Sequence, residues 1–208
     1  MIALENHSLY LCTPLRDDLD TFVADCIAGG VDIVQLREKH APPESYRKEA
    51  VQLRRLCTDL GVPFIMNDHP EFAVDIEADG VHVGQDDVSV AHCRDLLGEN
   101  AIIGLSTHQS SELTLGIKEP VTYLSAGPVE ETPTKPGRAG TGVAYVEDAV
   151  LRSPVPVFVT GGVTASAIAK LGRTGVRRFV VVRALTESPR PLEAAKELRF
   201  AIDALEAP

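Results

Sequence analysis

Residues 102–127 read IIGLSTHQSSELTLGIKEPVTYLSAG, and the order of their side chains decides the fold. Positions 102–105 form a short apolar run rich in isoleucine, and Ser106-Thr107-His108 is its polar exit. Positions 112–117 have the spacing of a helical turn, and 123–126 form a second apolar run. Two such runs joined through a helical stretch describe a strand–helix–strand unit with parallel strands.

The same unit repeats in both directions along the chain. Apolar runs recur at 9–12, 33–36, 64–66, 81–83, 157–159 and 179–182, and helical stretches at 19–28, 43–60, 71–76, 90–97, 146–151, 165–171 and 191–205. Many of the helical stretches are closed by glycine, at Gly29-Gly30, Gly61, Gly98 and Gly172, the residue that most readily ends a helix. Eight strands and eight helices in 208 residues give 208/8 = 26 residues per unit, enough for a strand, a helix and two tight connections. The strands are too short and too apolar to alternate cleanly, which suits parallel strands covered by helices. The expected fold is α/β, a single (β/α)8 TIM barrel over residues 1–208, because an open doubly wound sheet rarely needs eight equal units.

Composition narrows the function. Hydrophobic residues make up 44% of the chain, with 16 glycines and 14 prolines, which excludes disordered and fibrous classes. No apolar run reaches membrane-spanning length and the first residues lack the marks of a signal peptide, so a cytoplasmic location is expected. The net charge of −10 argues against nucleic acid and membrane surfaces as partners, and any anionic ligand must be held by a local cluster of cations. Cys12, Cys26, Cys57 and Cys93 show no CxxC spacing and read as reduced core or helix residues. A homo-oligomer is compatible with the composition.

In such a barrel chemistry gathers at the C-terminal ends of the strands. Gln35-Leu36-Arg37-Glu38-Lys39 follows the second run, and strand alternation sends Gln35, Arg37 and Lys39 to one side as an anion or polar-ring binder, unless the exit is simply solvated and salt-bridged to Glu38. Asn67-Asp68 and Gln85-Asp86-Asp87 end the third and fourth strands. Asp68 and Asp87 form a natural pair for one hard cation such as Mg2+, or alternatively cap the helices that follow. Ser106-Thr107-His108 offers hydroxyls and an imidazole, with helix capping as the plainer role, and His82 reads as a satisfied core residue. The longest connection, from Gly127 to about Ala144, holds Thr132, Thr134, Lys135 and Arg138 between prolines, a stiffened set of hydrogen-bond donors of the kind that phosphate or pyrophosphate oxygens accept. Thr160-Gly161-Gly162 and Val182-Arg183 end the last two strands, where barrels of this kind often bind phosphate.

Taken in order, QLREK, ND, GQDD, GLSTH, GPV with TPTKPG, TGGV and VVVRAL resemble the thiamine phosphate synthase family from about Tyr10 to Leu185. The resemblance implies an Mg2+-dependent transferase of thiamine biosynthesis that joins hydroxymethylpyrimidine diphosphate to hydroxyethylthiazole phosphate and releases pyrophosphate. It places Gln35, Arg37, Lys39 and Asn67 on the pyrimidine diphosphate, Asp68 and Asp87 on the metal, and Ser106 on the pyrimidine or the migrating group. Lys135 falls on the pyrophosphate, and Thr132, Thr134, Gly162, Val182 and Arg183 fall on the thiazole phosphate. Arg37, Ser106 and Lys135 are the residues expected to carry catalysis, by a dissociative displacement that needs no side-chain nucleophile. Arg183 departs from the small hydroxyl residue that many members carry there, and direct pairing with the thiazole phosphate is the favoured role. Two rivals are a thiazole tautomerase using His108 as acid or base and a non-catalytic barrel that binds a thiamine intermediate; neither needs the diphosphate cations.

Overall fold

The computed structural model describes residues 4–132 and 139–205. Eight parallel strands close into a barrel in chain order, β1 next to β2 and so on round to β8, which pairs back onto β1. The strands are β1 (Leu9–Thr13), β2 (Ile33–Leu36), β3 (Phe64–Asn67), β4 (Gly80–Val83), β5 (Ile102–Thr107), β6 (Tyr123–Ala126), β7 (Val157–Val159) and β8 (Phe179–Val181). The helices among the described residues are α1 (Leu19–Ala28), α2 (Arg47–Asp59), α3 (Pro70–Asp75), α4 (Val90–Leu97), α5 (Ser110–Gly116), α6 (Val143–Arg152), α7 (Ala165–Leu171), α8 (Arg183–Thr186) and α9 (Pro191–Asp203).

Three details differ from the expectation. The stretch at 43–60 is not one helix: Pro43–Tyr46 forms a tighter 3-10 turn before α2 begins. The helix α8 has no counterpart in the periodicity, because four residues are one turn and leave no repeat to read. The strands do alternate, between two apolar environments rather than between core and water. Tyr10, Ile33, Ile65, Ile102, Tyr123 and Phe158 pack with Leu4 and Val180 inside the barrel. Their neighbours Leu9, Leu11, Val34, Phe64, Met66, Val81, Ile103, Leu124, Val157 and Phe179 face outward into the layer beneath the helices. Polarity therefore carries no period, although side-chain direction does.

The interior cluster is closed by three aromatic rings. Tyr10, Tyr123 and Phe158 meet edge to face with centroids 5.3 to 5.9 Å apart, each pair contributing ~1 kcal/mol beyond its buried area. They form the floor on which the polar upper end of the barrel rests. The seam between the first strands and α9 is held by Asp32, whose carboxylate accepts from the Ser8 and Leu9 amides at 2.9 and 3.0 Å and from Arg199 at 2.6 Å. Arg199 also donates to the Ser8 hydroxyl and to the Gly30 carbonyl. All four cysteines are buried thiols outside any disulfide. Among the described residues no helix is long and apolar enough to cross a membrane.

Candidate active site

The strand ends at the upper rim place polar side chains around one cavity of about 360 Å³. On β2 the alternation holds: Gln35, Arg37 and Lys39 line the cavity, while Leu36 belongs to the outer core. Glu38 takes the His40 amide instead, and the partner of Lys39 is the Asp68 carboxylate. Asn67 is the last residue of β3 and 3% exposed, with its amide nitrogen lacking a protein partner. That nitrogen is a buried donor facing a cavity, a group whose desolvation a ligand would offset.

Directly after β3 the backbone turns left-handed at Asp68, φ 63°. Aspartate tolerates that region better than most residues, and the turn is fixed by the Asp68 amide donating to the His82 carbonyl at 2.9 Å. The carboxylate is thereby carried over the rim towards Asp87. Asp87 in turn accepts the Gly84 amide at 2.8 Å. Neither residue caps a helix: α4 is capped by Ser89, which accepts from the His92 amide, and α3 has His69 at that position with no side-chain bond. Asp86 does not line the cavity.

The two carboxyls influence one another strongly. Burial pushes Asp68 above its ordinary value, and the neighbouring Asp87 charge adds to the rise against the opposing pull of Lys39. For Asp87 burial works in the same direction, but the Gly84 amide, the hydrogen bond with Asp68 and the Lys39 charge win, and it is held below its ordinary value. Two carboxyls that shift one another in this way are relieved by positive charge placed between them.

Across the cavity, Ser106 on β5 is 5% exposed and its hydroxyl lies 2.9 Å from His82 Nε2. Thr107 is not a cap, as its hydroxyl donates to the Ser125 carbonyl. The far wall is built by Thr132, by Gly161 and Gly162 after β7, and by Val182 and Arg183 after β8. The β6 loop is tied to β7 by the Val129 amide donating to the Thr160 carbonyl at 2.8 Å, and to itself by the Thr141 amide donating to the Pro128 carbonyl at 2.7 Å. Thr134 and Lys135 lie outside the described residues.

Eleven anticipated residues thus share one cavity: Gln35, Arg37, Lys39, Asn67, Asp68, Asp87, Ser106, Thr132, Gly162, Val182 and Arg183. Sequence reading missed Tyr10, Tyr123, Ser125 and Glu187, which also line it, and placed His82 in the core. His82 does have both ring nitrogens hydrogen-bonded, yet it belongs to the cavity wall. Its inward parity was the available signal: it lies two residues before Gly84, which also lines the cavity. His108 does not line the cavity; its amide and Nδ1 are both bound by Glu112 at 2.8 Å.

The family profile described as thiamine monophosphate synthase matches residues 9–185, which include every described residue of the cavity except Glu187. The chain belongs to the thiamine monophosphate synthase family. Among relatives bearing the name thiamine-phosphate synthase, one from Synechocystis is 38% identical over 94% of this chain but only 57% of its own length. The chain thus spans about half the length of the cyanobacterial relatives it matches. One from Mycolicibacterium smegmatis is 38% identical over 97% of this chain and 94% of its own. The solved thiamine phosphate pyrophosphorylase of Pyrococcus furiosus superposes with a TM-score of 0.86 at 26% identity, covering 96% of this chain and 97% of that one. A 3-hexulose-6-phosphate synthase, at 17% identity and a TM-score of 0.66, shares the barrel.

Proposed function

We propose that this member of the thiamine monophosphate synthase family is a thiamine phosphate synthase, joining hydroxymethylpyrimidine diphosphate to hydroxyethylthiazole phosphate with release of pyrophosphate. The observation that carries the reading is the division of the cavity. Arg37 and Lys39 stand with the Asp68–Asp87 pair on one side, and the glycine turn stands with Arg183 on the other. One end suits a diphosphate with its cation, and the other suits a monophosphate.

The metal expected is Mg2+, and the residues fit it. Asp68 and Asp87 offer only carboxylate oxygens, one raised and the other lowered by their mutual interaction, the donor chemistry of a hard dication that completes its shell with water and phosphate oxygens. When bound, Mg2+ would neutralise the diphosphate as it leaves. The chain's own residues do the rest. Arg37 and Lys39 carry fixed positive charge at the place where negative charge develops. Lys135 of the β6 loop would add a third cation there, as the family pattern implies. Gln35 and Asn67 orient the pyrimidine by their amides, and Ser106 faces it from β5. The methylene–oxygen bond breaks with its electron pair going to the diphosphate, and the thiazole nitrogen lone pair forms the new carbon–nitrogen bond. Thr132, Thr134, Gly162, Val182 and Arg183 would hold the thiazole phosphate so that the nitrogen faces the methylene carbon.

The rival tautomerase has less support, because its acid–base candidate His108 is turned to Glu112 and away from the cavity. A silent binding barrel has no use for a carboxylate pair beside two cations. The four reduced thiols suit a reducing compartment, which supports a cytoplasmic enzyme. The test is pyrophosphate release with both purified substrates, with and without Mg2+, on the wild type and Asp87→Asn. Metal-dependent release matched by thiamine phosphate, and lost in the variant, is expected. No turnover by folded protein refutes the reading.

A further inference from the structure

The last strand leads into α8, four residues that make one turn, about 6 Å long. Val182, Arg183 and Ala184 at its start and Glu187 just beyond its end all line the cavity. Its own helical bonds run from the Thr186 and Glu187 amides to the Val182 and Arg183 carbonyls, at 2.9 and 3.0 Å. So short a helix does not hold itself together in water. Its place is set by what packs against it: the buried Leu185 side chain from within, and Arg16 from the side.

Arg16 lies in the loop between β1 and α1, and its Nη1 donates to the Thr186 carbonyl at 3.2 Å across a separation of 170 residues. The polarity of this bond is fixed, since a guanidinium only donates and a carbonyl only accepts. The Thr186 carbonyl belongs to the last turn, where a helix leaves its acceptors without partners of its own. The guanidinium is held on two further sides. Nε and Nη2 go to the Asp18 carboxylate, Nη2 at 3.1 Å, and Cζ stands 3.8 Å from the centroid of the Phe22 ring, which is buried on α1. The hydrogen bond from Arg16 keeps the Asp18 carboxyl below its ordinary value. A planar fork can serve a carboxylate, a ring face and a carbonyl at once, which the point charge of a lysine cannot.

The same end of β1 meets the other wall through main chain. The Thr13 carbonyl accepts the Arg37 amide at 2.9 Å, a bond that no change of side chain at residue 16 removes. Because β1 lies between β2 and β8, its loop borders both ends of the cavity, with the Arg16 side chain turned to the α8 end. Arg16 itself does not line the cavity.

We infer that Arg16 is a positioning residue for the monophosphate end of the cavity: it clamps the C-terminal end of α8 and so sets where Arg183, at the start of the same turn, meets the ligand. That Arg183 addresses the thiazole phosphate rests on the function proposed above; the clamp does not.

Two measurements test this on the intact chain. In hydrogen exchange without any substrate, the Thr186 and Glu187 amides should exchange about 5- to 10-fold faster in Arg16→Met than in the wild type, the worth of one hydrogen bond. The Leu113 amide of α5, across the barrel, should keep its rate. Unchanged exchange in α8 overturns the inference, whatever the protein turns over. Should Arg16→Met fail to fold, Asp18→Asn loosens the same guanidinium from an exposed position and is read on the same two amides. In turnover, Arg16→Met should raise the KM for the thiazole phosphate about fivefold and change that for the pyrimidine diphosphate less than about twofold. Made in Arg183→Ala, the same change should cost less than about twofold further, because the residue it positions is gone. Full additivity marks a direct effect of the lost charge and overturns the inference, as do equal shifts for both substrates. Faster exchange in a folded chain that turns nothing over refutes the activity proposed above and leaves the clamp in place.

Discussion

Gly161 offers a sharp test of how the β6 and β7 loops are joined. Its φ is 95°, and a Cβ there would lie 2.4 Å from Pro128 Cβ, 2.5 Å from Pro128 Cα and 2.7 Å from the Val129 amide nitrogen. Two of those three atoms are backbone, so no rotamer change relieves the overlap. Gly175 is the natural control, with φ 87° and nothing within 4 Å of the place a Cβ would take. Alanine at either position costs about 1–2 kcal/mol for the left-handed conformation, offset by about 0.4–1 kcal/mol of lost freedom in the unfolded chain. Gly175→Ala should therefore destabilise by ~1 kcal/mol. Gly161→Ala adds the overlap, about 1–3 kcal/mol for forced overpacking, and should lose ~3 kcal/mol. Urea titration of the two variants, compared at equal m-values, reads the difference directly. Displacement of the β6 loop should also raise the KM for the thiazole phosphate in Gly161→Ala alone. Equal loss of stability in the two variants would refute the close approach of the β6 and β7 loops.

Arg183→Ala removes an exposed guanidinium from the cavity wall. It should raise the KM for the thiazole phosphate about tenfold, the worth of one charge-assisted hydrogen bond, and leave that for the pyrimidine diphosphate nearly unchanged; equal shifts in both would show that Arg183 does not face the monophosphate. Asp32→Ala strips the acceptor from two backbone amides and Arg199, and should cost ~3 kcal/mol in chemical denaturation while activity per folded molecule is kept; a loss below about 1 kcal/mol would mean that the seam is held otherwise. The raised Asp68 carboxyl gives the proposed Mg2+ site a pH dependence. A protonated carboxyl cannot hold the cation, so Mg2+ affinity is full above the raised value and falls as pH drops through it. Calorimetric titration at about pH 7.5 and about pH 5 should show weaker binding at the lower pH, and unchanged affinity would contradict a raised Asp68 carboxyl at the metal site.

The fold was legible because strand and helix stretches differ in composition even where polarity has no period. The runs at 33–36, 123–126 and 157–159 coincide with β2, β6 and β7, bounded by turns the chain signals plainly. What escaped was short or local: the 3-10 turn at Pro43–Tyr46 and the single turn of α8. In the site, the residues found were those just beyond an apolar run, where a charge stands out: Arg37, Lys39, Asp68 and Asp87. Those missed sit within the runs, apart from Glu187, which follows α8. His82 lies between Val81 and Val83, and Tyr123 beside Leu124, so only the inward or outward parity of each strand separates a cavity wall from packing. Parity becomes readable once one inward residue is known, and Gln35 on β2 supplied it for a single strand.

The burial of the four thiols has a practical consequence. Cys26, Cys57 and Cys93 are fully enclosed in the outer core, with burial pushing their pKa values to about 12, about 12 and about 11. Of the four, Cys12 lines the cavity, its thiol donating to Gln35 Oε1 at 3.3 Å. A small disulfide reagent entering from the rim of the folded barrel meets that sulfur first, and a ligand seated against Gln35 would screen it. The chain thus carries its own occupancy gauge, and the rate at which one native thiol is labelled reports how full the barrel is without any engineered residue.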